Sequence, residues 1–181
     1  MSALDRLISL VPPYSYKDDR SIDWAAVESQ LDSPLPSDYK RLVERYGAGV
    51  FDDFIWVYQP MYPTEALDIG WRNRNALETL RVIGADQIPY SIEAGAEELL
   101  VWGGTETREE CYWVKSDADP ERWTVVLNDA GDDEWFSFEG SMSEFLVAAL
   151  SGECGRDFFV DFPSPRPIFS PDPLPVIDST D

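Results

Sequence analysis

Carboxylates are the chemistry this chain has in quantity: 35 aspartates and glutamates stand against 14 lysines and arginines, and no histidine occurs among 181 residues. Without histidine the chain has no Ser-His-Asp or Cys-His nucleophile, no H-E-x-x-H zinc site, and no side chain whose ordinary pKa suits proton shuttling near neutrality. Acid–base work would fall to carboxylates, tyrosines or the three lysines, Lys17, Lys40 and Lys115. The densest acidic run is N-D-A-G-D-D-E at 128–134, which brings Asp129, Asp132, Asp133 and Glu134 together. It lacks the alternate ligands and closing glutamate of a calcium-binding loop, so it reads as a hairpin turn with an acidic rim. Paired carboxylates of the glycosidase kind would assemble by chance among so many acids, and their abundance carries little information. Gly47-Ala-Gly49 and Gly103-Gly104 are followed by no Gly-Lys-Ser/Thr; they read as a helix stop and a turn, not a phosphate loop. Cys111 and Cys154 lack C-x-x-C pairing and read as reduced, mostly buried thiols. This inventory leads us to expect no catalytic residue, no metal site and no cofactor.

The elements that position these groups can be read from periodicity. Leu35, Tyr39, Leu42, Val43 and Tyr46 recur at helical spacing, with Pro36 suited to the first turn and Gly47 to the stop. Upstream, Leu4, Leu7, Ile8 and Val11 predict a short amphipathic helix ended by Pro12-Pro13, and Ser21 is placed to cap a helix over 22–31. Phe54 to Tyr58 reads as a strand, and Thr64 as the cap of a helix running to about Leu80. The period then falls toward two. Leu99–Trp102, Cys111–Lys115, Trp123–Asn128 and Glu134–Phe138 predict successive antiparallel strands, and Met142, Phe145, Leu146, Ala149 and Leu150 the apolar face of a last helix. Trp24, Trp113 and Trp123 fall at buried positions in this scheme; Trp56, Trp71 and Trp135 are placed partly exposed. The whole predicts one α+β domain, an antiparallel β-sheet meander packed by helices. Six prolines between Pro163 and Pro175 predict an extended tail unable to supply an inner strand, with Phe158, Phe159, Phe162 and Phe169 available to pin it. The N-terminus lacks a basic, then apolar, leader, and no apolar run approaches the ~18 residues of a membrane helix, so a cytoplasmic protein is expected.

In order, I-D-W-A-A-V-E at 22–28, L-P-S-D-Y-K-R-L-V-E-R-Y-G at 35–47, L-L-V-W-G-G-T at 99–105, W-T-V-V-L at 123–127 and the helix at 141–152 resemble the SUKH superfamily. That group includes the Smi/Knr-type yeast cell-wall-synthesis regulator and many bacterial immunity proteins. The likeness spans roughly residues 20–152, with Trp24, Trp102, Trp113 and Trp123 beside segments the family also uses. It divides the chain into an N-terminal helical extension (1–20), a SUKH-like domain (21–152) and an extended Pro-rich tail (153–181). One segment departs from the pattern: family members often carry a Gly-Asp type turn after the W-G-x-T strand, where this chain has E-T-R-E-E at 106–110.

Charge bears on the partner. Residues 1–90 hold 9 basic and 14 acidic groups, residues 91–181 hold 5 and 21, so most of the net −21 belongs to the second half. Such a surface repels nucleic acid and anionic membranes and attracts basic proteins; the plainer reading is solubility alone. The resemblance implies a non-catalytic protein-binding domain of the immunity branch, which would neutralise a cognate toxin domain, or another basic protein, by direct binding. The alternatives are a cellular regulatory or scaffold module with no toxin partner and, more remotely, a carboxylate-based enzyme. The candidate partner-binding acids lie in the strand connections: Glu106, Glu109, Glu110, Asp117, Asp119, Asp129, Asp132 and Asp133. A competing interface is an apolar groove around Tyr58, Tyr62 and Trp71.

Overall fold

The stripe read at 35–46 lies wholly in the core: Leu35, Tyr39, Leu42, Val43 and Tyr46 are all buried. A computed structural model describes residues 1–14, 21–129, 134–155 and 162–172. The helices are α1 (Ala3–Leu10), α2 (Trp24–Leu31), α3 (Ser37–Tyr46), α4 (Ile69–Ile83) and α5 (Met142–Leu150). The strands are β1 (Gly49–Phe51), β2 (Ile55–Val57), β3 (Leu99–Thr105), β4 (Glu110–Val114), β5 (Thr124–Asn128), β6 (Phe136–Phe138) and β7 (Phe169–Pro171). They form one antiparallel sheet in the order β6-β5-β4-β3-β2-β1-β7, a six-strand meander with the tail strand added beside β1. The protein is therefore an α+β domain.

Strand alternation gives the sheet two different faces. Leu100, Cys111, Trp113, Val125 and Leu127 share one face by register. Helices α3 and α5 cover that face: the Tyr39 ring meets Trp113 edge-on at 5.1 Å, and Phe145 meets Trp102 at 5.9 Å and Phe138 at 5.6 Å. Leu4 and Leu7 seat α1 against α5, so the first helix shares this core. Helix α4 lies on the opposite face, where Arg72 reaches Tyr58 and Glu110.

Several local readings differ from the structure. The glycines 103 and 104 are not a turn but the buried end of β3, because a side chain there would have nowhere to go. A Cβ on Gly103 would strike the Trp56 carbonyl, and one on Gly104 the Tyr58 hydroxyl. The register slips between Val101 and Gly103, and Asn73 of α4 accepts the Val101 N–H at 3.2 Å. Helix α4 starts at Ile69, with the Asp68 carboxylate accepting the Trp71 N–H at 2.7 Å. Thr64 makes no side-chain cap and precedes only a single 3₁₀ turn at 65–67. Helix α2 is capped by Asp23, not Ser21. The tail returns at the sheet edge: Phe169 packs among Phe51 and Tyr46, and Asp52 accepts both the backbone N–H and the hydroxyl of Ser164 at 2.6 Å.

Candidate functional site

Antiparallel strands invert the chain at every connection, so the odd and even connections of a meander emerge at opposite ends of the sheet. Phe51 pairs with Ile55, Gly104 with Glu110 and Glu110 with Asn128, which puts the β1–β2, β3–β4 and β5–β6 connections at one end. Val114 pairs with Thr124, and the β4–β5 connection is at the other. Glu106, Glu109 and Asp129 are thus brought together, with Asp52, Asp53 and Glu134 added, while Asp117 and Asp119 stand apart. Asp132 and Asp133 lie outside the described residues.

At the first end Glu106 is exposed on the β3–β4 turn and accepts the Trp56 indole N–H, holding a half-buried ring at the rim. Asp53 and Glu134 are also exposed. Glu109 is different: only 7% exposed, it builds the turn itself. Its carbonyl accepts the Thr105 N–H at 2.9 Å, and its own N–H donates to the Thr105 hydroxyl at 3.2 Å. Arg108 is the one cation on these three connections among the described residues, and it stands 3.8 Å from Asp129 with its side chain 87% exposed. At the opposite end the acids serve local structure. Asp117 accepts the Asp119 N–H at 2.9 Å and faces Arg122 at 3.2 Å, which together hold its carboxyl below the usual range. Asp119 accepts the Glu121 N–H and starts the 3₁₀ turn at 120–122.

Glu110 is not part of the rim's open charge. Strand parity turns it onto the α4 face, where the Tyr58 hydroxyl donates to it at 2.9 Å and Arg72 approaches to 3.4 Å. Burial pushes its carboxyl above the ordinary range despite the guanidinium. Arg72 also hydrogen-bonds the Tyr58 hydroxyl and lies 4.5 Å over that ring. Tyr58 is 1% exposed, and burial, then Glu110, raises its pKa far above the phenolic norm. Tyr62 is 6% exposed with its hydroxyl donated to Asp172 at 2.7 Å. Neither tyrosine lines an open groove, since each points its polar tip at a carboxylate inside the fold; Trp71 is half-buried. The sequence gives no sign of Arg72, because an arginine on an amphipathic helix carries no mark of an inward partner.

Among the described residues no group of three or more acidic or thiol side chains is placed to hold a metal ion, and no helix is long and apolar enough to cross a membrane. Comparisons with protein-family models, curated proteins and solved structures give no match to this chain.

Proposed function

We propose that the chain is a protein-binding domain that acts by stoichiometric contact, an immunity protein of the SUKH kind that neutralises a basic, nucleic-acid-directed toxin domain. The observation that carries the reading is the acidic rim at the β1–β2, β3–β4 and β5–β6 end, where Asp53, Glu106, Asp129 and Glu134 lie on connections that, among the described residues, carry one cation, the exposed Arg108. The sequence resemblance supports the immunity role; the net charge of −21 supports a basic partner. Long-range attraction would set the association rate. Trp56, oriented by Glu106, is the aromatic group placed to hold the docked partner, the type of residue that dominates binding hot spots.

The test is association with a toxin domain captured by this chain, measured with the double reversal Glu106→Lys/Asp129→Lys against the control pair Asp117→Lys/Asp119→Lys at the far end; capture of no toxin domain would defeat the immunity reading. The rim reversal slows association several-fold and the control changes it little. Equal slowing by both pairs would show that only total charge matters and defeat the assignment of the rim.

A further inference from the structure

The N-termini of α3 and α5 meet at the end of the sheet away from the acidic rim; α5 has its own capping box in Ser141 and Glu144, and each also receives a carboxylate from another element. Helix α3 begins after Pro36, which offers no side-chain cap. Glu121 of the β4–β5 connection serves instead, accepting the Ser37 N–H at 2.6 Å and the Ser37 hydroxyl at 2.8 Å. Asp38 of α3 in turn gives one carboxylate oxygen, Oδ2, to the Ser143 N–H of α5 at 3.0 Å. Between these elements lies a cavity whose lining includes Pro36, Asp38, Trp113, Glu121, Trp123 and Met142.

Two of the lining residues each carry a buried atom with no hydrogen-bond partner within the protein: Asp38 Oδ1 and Trp113 Nε1. Trp113 is 1% exposed. Its neighbour Trp123 shows the normal outcome for a buried indole, donating to the Asp117 carbonyl at 2.7 Å. Leaving a buried donor and a buried acceptor both unmet costs about 1–3 kcal/mol each. Together they define what one group could satisfy at once. A metal cation is repelled by the indole N–H, and an anion by the Asp38 carboxylate. The ligand must accept from one and donate to the other, which a hydroxyl does. The space left for the centre of a water molecule is about 10 Å³, close to the least that one water requires.

We infer that this cavity is a specific site for a single water molecule, which accepts from Trp113 Nε1 and donates to Asp38 Oδ1, tying the N-termini of α3 and α5 to strand β4. A high-resolution crystal structure of the full chain tests this. One density peak within about 2.7–3.2 Å of both atoms is expected. In solution the Trp113 indole N–H, assigned with Trp113→Phe, gives a cross-relaxation peak to a long-lived water. Trp113→Phe removes the N–H donor together with part of the ring, so its crystal structure loses the peak at the indole site, and chemical denaturation of the same variant shows whether the fold is kept. The inference fails if the cavity of the wild-type protein is dry, or if the indole N–H points into the Tyr39 ring, whose edge-on approach at 5.1 Å offers the alternative acceptor.

Discussion

Single side chains in this protein do most of their work as connectors between elements. The Tyr39 hydroxyl donates to the Tyr58 carbonyl at 2.7 Å and the Tyr46 hydroxyl to the Val11 carbonyl at 2.6 Å, so the apolar stripe of α3 also ties β2 and the end of α1. Leu42, fully buried between them, has only packing to contribute. Leu42→Ala should destabilise the domain by about 2–5 kcal/mol through lost burial and the cavity left behind, read by chemical denaturation. Glu28 links α2 to α3: burial alone would raise its pKa, but Lys40 at 2.5 Å and the Leu35 N–H at 2.8 Å hold the carboxyl below the usual range. A depressed folded-state pKa means that this stability is present above the unfolded value of 4.5 and fades as pH falls through the folded one. Glu28→Gln should therefore cost about 1 kcal/mol or less at neutral pH and flatten the acid limb of a stability–pH curve. An unchanged acid limb would show that the pair does not couple to folding.

At the scale of elements, segments with their own apolar pattern are legible in the sequence and those paired only through the tertiary fold are not. Helix α3 and the strands β3 to β5 follow from apolar spacing because each buries enough surface for its pattern to be dictated by packing. Strands β1 and β7 are three residues each, one beside a helix-stopping glycine and the other ending in proline, and their pairing is decided by the tertiary fold. Gly103-Gly104 looked like a turn because glycine in sequence records a need for space without saying what fills it. The filler at Gly104 is the Tyr58 hydroxyl, held by Glu110 and Arg72. Gly104→Ala should accordingly destabilise by about 1–3 kcal/mol from overpacking. In a Tyr58→Phe background the same substitution should cost less, since the clashing atom is gone; a full additive penalty in the double mutant would place the strain elsewhere.

The whole molecule separates its acids by an arithmetic that the sequence contains but a charge count conceals. Consecutive connections of a meander alternate ends, so Asp117 and Asp119 could not share a surface with Glu106 and Asp129, and parity along the strands sends Glu110 inward to Arg72. Of the eight candidate acids, Glu106 and Asp129 thus share one end of the sheet with Asp53 and Glu134, Asp132 and Asp133 lie outside the described residues, and Asp52 is held to the returning tail through Ser164. A partner's basic surface would feel this field only within the screening length, which is about 8 Å at physiological ionic strength. Stopped-flow association with a toxin domain found to bind the chain, followed from low to physiological salt, is the most direct test of the proposed rim. Such a rim predicts an association rate that falls several-fold with salt, a dissociation rate that changes much less, and a salt dependence weakened by Glu106→Lys/Asp129→Lys. A rate that is flat across salt and indifferent to those reversals would contradict it.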